Sequence, residues 1–193
     1  MKRAAAFLTV FLALAAVSCK NKKAKEKETS FFPALSFIRS QVAHVDTSLY
    51  TIMKIVRTDS LADTSYLKRE EFRQAAQDFL SLPDISSGQL KEEYEETQFF
   101  DADLNQAVLN YMPKADDGAI RRQEVMIQPN PGADKVSAIF VDLVKTDGDS
   151  TLKKVLYWQV DKRFRVSTTV EKPDFHGPTQ TLEVIWNDFP SAK

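Results

Sequence analysis

Side chains able to carry out covalent or acid–base chemistry are sparse in this 193-residue chain. It contains one cysteine, Cys19, and two histidines, His44 and His176. There is no G-x-S-x-G nucleophile motif, and the five glycines form no phosphate-binding loop. His44 adjoins the apolar face of a predicted helix and His176 lies in a Gly-Pro loop, so we expect neither to act as a general base. Their distance in sequence also argues against a zinc site. The sequence therefore predicts no catalytic residue.

Carboxylates are more abundant, and three groups deserve a test as candidate sites. Asp101 to Asp103 and Asp147 to Asp149 could offer oxygens to Ca²⁺, but neither follows the twelve-residue EF-hand pattern. The Asp-Gly-Asp order is more typical of a hairpin turn. Four glutamates surround Tyr94 in the run from 92 to 96. Paired carboxylates can transfer protons, yet such a run is more typical of a solvated face. We predict no metal and no cofactor.

Cys19 ends a segment with the order of a bacterial export signal. Lys2 and Arg3 precede a fourteen-residue apolar run from Ala4 to Val17, and Ser18 follows it. The run is shorter than the roughly 20 apolar residues that a membrane-spanning helix needs. A single cysteine also leaves an exported chain without a partner thiol for an internal disulfide. The thiol is therefore expected to have another use.

The last four residues of this segment, Ala16-Val17-Ser18-Cys19, resemble the lipobox of bacterial lipoproteins. Ala16 stands where leucine is commoner. The resemblance implies that residues 1–18 are removed as a signal peptide, that the Cys19 sulfur is lipidated, and that acyl chains such as palmitate hold the protein at a membrane. An ordinary cleaved signal followed by a free cysteine is the alternative. Lipidation would leave no thiol for cysteine catalysis.

The residues after Cys19 bear on the location within the envelope. In lipoproteins of two-membrane bacteria, an aspartate after the cysteine often retains the protein at the inner membrane. Lys20 occupies that position here, which implies the outer membrane. Surface lipoproteins of Bacteroidota often carry an acidic cluster in this place. The basic sequence here, Lys20-Asn21-Lys22-Lys23, implies a domain that faces the periplasm.

Residues 19–30 are predicted to be the lipidated cysteine and a charged, flexible tether. Five lysines oppose two glutamates between positions 20 and 28, and no residue there favours a core. The chain has formal charge −1. Without Lys2 and Arg3 the charge is −3, and without the +3 tether it is −6 for residues 29–193. This acidity, and export itself, argue against nucleic acid as a partner.

Residues 31–193 are predicted to form one domain whose first part is helical. Apolar residues from Phe31 to Leu49 recur at spacings of three and four, which predicts a helix from Pro33 to Ser48. The pattern then favours a strand over Tyr50–Arg57, a polar turn over 58–64, and a second helix from Ser65 to Leu80. A short third helix is expected over Ser87–Tyr94.

From about residue 105 the apolar period changes to two, which is typical of antiparallel strands with one wet face. Phe164, Val166 and Val170 alternate with Arg163 and Arg165. The predicted fold class is α+β, with two or three N-terminal helices packed on one face of a C-terminal antiparallel β-meander. This layout is similar to NTF2-like domains, which implies no activity. The opening Phe-Phe-Pro and the late Ile-Trp-Asn-Asp resemble lipoproteins of Bacteroidota, which implies a location but no chemistry.

Aromatic and arginine side chains are the remaining candidates for contact with a ligand or partner. The predicted contact residues are Tyr157, Trp158, Arg163, Arg165 and Trp186. Buried indole N–H groups need hydrogen-bond acceptors, so Trp158 and Trp186 are less readily explained by packing alone. The function we expect is a non-catalytic binding or scaffold module, with another envelope protein as partner. The alternatives are a carrier or sensor of a small apolar ligand held between helices and a curved sheet, and a carboxylate-based hydrolase.

Overall fold

One antiparallel sheet of ten strands organises the chain. The computed structural model describes residues 30–188. The predicted signal peptide, Cys19 and the tether as far as residue 29 lie outside this range. The described residues from Phe31 onward belong to one compact unit.

Four helices and ten strands follow one another along residues 30–188. The helices are α1 (Ala34–Thr47), α2 (Arg69–Ala75), α3 (Gln77–Leu80) and α4 (Leu90–Glu93). The strands are β1 (Ile52–Thr58), β2 (Leu61–Leu67), β3 (Tyr94–Asp101), β4 (Gln106–Pro113), β5 (Ile120–Gln128), β6 (Lys135–Asp147), β7 (Ser150–Gln159), β8 (Arg163–Lys172), β9 (Phe175–His176) and β10 (Gln180–Ile185).

The strand order in space is β2-β1-β10-β8-β7-β6-β5-β4-β3, and the short β9 pairs with β8. Strands β3 to β8 therefore form a meander in which neighbours in sequence are neighbours in the sheet. The last strand, β10, then lies between β8 and β1 and joins the N-terminal hairpin to the meander. Residues from both ends of the described chain consequently meet on the same part of the sheet.

The predicted fold class is wrong in its division into a helical half and a strand half. Residues Leu61–Leu67, which were assigned to a turn and a helix start, form β2 and pair with β1 along its length. The acidic segment Tyr94–Asp101 is also a strand. Cross-strand pairing supplies partners for the backbone of these exposed segments, although few of their side chains are buried. Because neither segment has regularly spaced apolar residues, hydrophobic periodicity did not identify them as strands.

The helices are a minor layer. Helix α1 occupies nearly the predicted range, and buries Ala34, Leu35, Ile38, Val42 and Val45. The second predicted helix, Ser65–Leu80, is replaced by β2 and the two short helices α2 and α3. Helix α2 begins only after Lys68, whose backbone N–H donates to Glu71 Oε2 at 2.7 Å.

Large aromatic side chains fill the space between the helices and the sheet. Phe72 of α2 meets Trp186 edge-on at 5.3 Å between ring centroids, and Phe79 of α3 meets Trp158 edge-on at 5.2 Å. Trp158 also stacks on Phe164 at 5.3 Å. All five side chains are almost completely buried. Each such ring contributes roughly 1.5–3 kcal/mol by leaving water, so this cluster dominates the packing of the helices on the sheet.

Candidate partner-binding face

The register of the strands divides the sheet into two faces. Side chains directly opposite one another on paired strands share a face, so Trp158, Phe164 and Val184 belong to the face that the helices cover. Their chain neighbours Tyr157, Arg165 and Glu183 lie on the other face, which we call the outer face. The buried side chains of the helices join the core on the first face, so the outer face is the surface of the sheet through which the domain can meet another molecule.

An ion-pair network on the outer face fixes one of the predicted arginines. Arg163 Nη2 lies 2.8 Å from Asp188 Oδ2, and its Nη1 lies 3.3 Å from Glu183 Oε1. Its Nε also donates to Gln159 Oε1 at 3.1 Å. Arg57 Nη1 lies 2.9 Å from the other oxygen of Glu183. Because Arg163 has three acceptors around its guanidinium, its position is set and its charge is largely compensated.

Arg165 differs from Arg163 because its guanidinium is exposed and can bind another molecule. Its side chain is exposed, and it forms no ion pair or side-chain hydrogen bond with another described residue. It stands opposite Tyr157 on one side and Glu183 on the other. Glu183 is already occupied by Arg57 and Arg163. An open depression of about 280 Å³ on the sheet is lined by Tyr157, Gln159, Arg163, Arg165 and Glu183.

Aromatic side chains extend this depression across the next strands. Tyr157 stands opposite Phe140, and both rings are half-buried. The guanidinium carbon of Arg122 lies 4.7 Å from the centroid of the Phe140 ring, a cation–π distance. Arg122 also pairs with Glu124 at 3.3 Å. We call the side chains of Arg165, Tyr157, Phe140 and Arg122 the outer strip; they cross strands β8 to β5.

The structure separates the five predicted contact residues into two groups. Tyr157, Arg163 and Arg165 line the same outer depression. Trp158 and Trp186 are instead 0 and 1% exposed on the helix-covered face, where their rings lie 5.5 Å apart. Neither indole Nε1 has a hydrogen-bond partner among the described residues. The tryptophans therefore cannot reach a ligand bound at the arginines.

Several residues of the outer face were not predicted from the sequence. Glu183, Gln159 and Asp188 hold Arg163, while Arg57 pairs with Glu183 and Phe140 stands opposite Tyr157. The alternation around Tyr157 places Gln159 on the same face, so that residue was accessible to sequence reasoning. Glu183 was not, because the pairing of β10 with β8 and β1 depends on the whole topology.

The side chains considered for catalysis or metal binding lie apart from one another. His44 is exposed on α1 beside Tyr50, and the His176 side chain is 82% exposed at 3.7 Å from Glu171. Asp101 Oδ1 accepts the backbone N–H groups of Asp103 and Leu104, which is the geometry of a turn. Within residues 30–188, no three side chains of the His, Cys, Asp or Glu types converge as metal ligands.

Three pKa shifts reflect packing and ion pairing rather than an active site. Burial raises the pKa of Tyr111, whose hydroxyl accepts the Phe32 N–H at 3.0 Å and lies beside Glu96. Burial also raises the pKa of Tyr94, whose hydroxyl donates to the Ile120 carbonyl at 3.0 Å. The hydrogen bond from Lys153 lowers the pKa of Glu171. None of these groups faces the outer depression.

Comparison with known proteins adds no family assignment. The chain matches no protein-family model, and searches of curated proteins and of solved structures find nothing similar to it. Helices in the part of the chain that the structure describes are too short or too polar to cross a bilayer. The site must therefore be interpreted from its own geometry.

Proposed function

We propose that this protein is a lipid-anchored, non-catalytic binding module of the bacterial cell envelope, and that the outer face of its sheet contacts a partner protein. The observation that carries the proposal is the contrast between Arg163, held by three acceptors, and Arg165, exposed beside Tyr157. The ion pairs of Arg163 fix the polar surroundings of Arg165, whose exposed guanidinium can bind a group on a partner protein. The scattered histidines and carboxylates favour no hydrolytic site.

The anchor is the second part of the proposal, and it rests on the sequence. Cys19 carries the lipid, residues after it act as a tether, and Lys20 directs the protein to the outer membrane with its domain in the periplasm. A carrier for a small apolar ligand is less favoured, because aromatic side chains already occupy the space between the helices and the sheet.

The anchor is tested by Cys19→Ala in cells labelled with radioactive palmitate. We expect the substitution to abolish labelling and to release the protein from the membrane fraction. Labelling that survives the substitution would contradict the anchor. Proteolysis of intact cells checks the side: a periplasmic domain resists the protease until the outer membrane is opened.

The binding face is tested by chemical crosslinking in membranes followed by recovery of the protein. Arg165→Ala should leave the domain folded and abolish recovery of its crosslinked partner. Arg39→Ala, which removes an exposed arginine from α1, is the matched control and should leave recovery unchanged. Equal recovery with both variants would show that the outer face is not the contact surface.

A further inference from the structure

The geometry of the outer strip points to one class of partner: we infer that it binds an extended protein segment in which an acidic residue and an apolar residue stand two positions apart. This inference rests on the proposed binding function and specifies its ligand. The acidic side chain pairs with Arg165, and the apolar side chain packs on Tyr157 and Phe140.

The charge balance of the outer face sets the number of acidic groups. Arg57, Arg163 and Arg165 oppose Glu183 and Asp188, which leaves one net positive charge around the depression. Arg57 and Arg163 are already paired with Glu183, whereas Arg165 has no ionic partner among residues 30–188. Its planar guanidinium can bind both oxygens of a carboxylate at once. A segment with one carboxylate is therefore matched, while a cluster of acidic residues would meet Glu183 and Asp188.

The far end of the strip does not offer a second anion site. Arg122 is paired with Glu124 and lies over the Phe140 ring. Asp142 stands opposite Arg122 in the register and shares the outer face. Glu124 compensates the charge of Arg122, and Asp142 adds a negative charge beside them, so this end presents the aromatic ring and no free cation. An apolar side chain gains contact area on the Phe140 ring.

The spacing follows from strand geometry. Neighbouring strands lie about 4.8 Å apart, so Tyr157 is roughly 5 Å and Phe140 roughly 10 Å from the strand that carries Arg165. In an extended segment, side chains two positions apart point the same way and are separated by roughly 7 Å. When the acidic side chain of such a segment pairs with Arg165 and the segment runs across the strands, the side chain two positions away lies between the rings of Tyr157 and Phe140.

Selection from a phage-displayed library of random ten-residue peptides tests the inference on the folded protein. We expect enriched peptides to contain Asp or Glu with Phe, Tyr, Leu or Ile two positions away. Synthetic copies in which the acid is replaced by its amide should bind at least tenfold more weakly, about 1.4 kcal/mol. Enrichment without this spacing, or no enrichment, would overturn the inference.

Charge reversal locates the interaction. Arg165→Glu should abolish binding of the selected peptides, whereas Arg39→Glu, the same change on an exposed residue of α1, should not. Circular dichroism establishes that each variant is folded, and Arg165→Gln replaces Arg165→Glu if the reversal disturbs the fold. Peptide binding that survives both Arg165 variants would overturn the inference.

The membrane is the main competing source of negative charge, and vesicles distinguish it. The domain without its lipid should not bind phosphatidylglycerol vesicles more strongly than phosphatidylcholine vesicles. Arg165-dependent binding to the anionic vesicles would assign the strip to lipid headgroups instead. Recovery of the crosslinked partner that does not depend on Arg165 would remove the proposed function itself, whereas peptides selected without an acidic residue would remove only this specificity.

Discussion

The two faces of the sheet are built from adjacent residues of the same strands but differ in their exposure to water. On the helix-covered face, Trp158 and Phe164 stack in a cluster that is closed to water. On the outer face, their neighbours Tyr157 and Arg165 remain accessible around an open depression. One-residue alternation therefore places tightly packed and accessible side chains next to each other along one strand, so a substitution on one face need not disturb the other.

The largest expected effect on stability comes from introducing an acidic residue on one face and comparing it with the same residue on the other face. Val166→Asp introduces a carboxylate at a position that is 3% exposed. We expect the domain to lose cooperative unfolding, because a buried unpaired charge is very costly. Arg165→Asp adds the same group one residue away on the outer face and should leave the fold intact. Thermal melts followed by circular dichroism compare the two, and a folded Val166→Asp variant would break the distinction.

Tyr111 provides a second test because it connects the start of the domain to the sheet. Its hydroxyl accepts the Phe32 N–H, and its ring lies 4.9 Å from that of Phe31. Tyr111→Phe leaves that N–H without its acceptor, so it should lower the free energy of unfolding by about 1 kcal/mol at pH 7. Urea unfolding measures the change, and Tyr66→Phe, on an exposed tyrosine, should have no comparable effect.

The raised tyrosine pKa values predict the direction of the pH dependence. Above the ordinary tyrosine pKa of 10.0, the unfolded chain releases protons that folded Tyr94 and Tyr111 retain. Stability is therefore present below pH 10 and falls as the pH rises beyond it. In Tyr111→Phe this alkaline loss should be less steep. An equally steep loss between pH 10 and 11 would show that Tyr111 does not contribute to it.

A smaller effect is expected from the ion-pair network of the outer face. Glu183→Ala removes the carboxylate shared by Arg57 and Arg163 and should cost about 1 kcal/mol, since both arginines are partly solvated. Glu171→Ala removes the pair with Lys153 and should have a smaller effect. Chemical denaturation at low and high salt measures both, and salt should narrow the difference. A larger loss for Glu171→Ala would contradict the importance of the network.

The alternation of buried and exposed residues within a strand could be predicted from the sequence better than the pairing of strands into the sheet. Arg165 is exposed, Arg163 is half-buried, and Phe164 and Val166 are buried, which agrees with the period-two pattern. Val170 is only half-buried, since it lies six positions along β8 from Phe164 of the aromatic cluster. The fold class failed because β2 and β3 are held by backbone pairing, and their exposed side chains carry little hydrophobic signal.

The candidate site shows the same limit. Tyr157, Arg163 and Arg165 could be grouped from local pattern, because they are close in sequence and all occupy odd-numbered positions that alternate with apolar residues. Trp158 and Trp186 were grouped with them by residue type, although strand alternation alone places Trp158 on the face opposite Tyr157. The role of Glu183 required the pairing of β10 with β8, which brings together residues about twenty positions apart.

Site-specific photo-crosslinking in living cells tests the central claim most directly. A photoreactive amino acid is placed at Tyr157 on the outer face, or at Gln74, which is exposed on α2. If the outer face is the contact surface, Tyr157 gives a discrete crosslinked adduct that Arg165→Glu removes, and Gln74 gives none. An adduct from Gln74, with none from Tyr157, would place recognition on the helical layer and contradict the account.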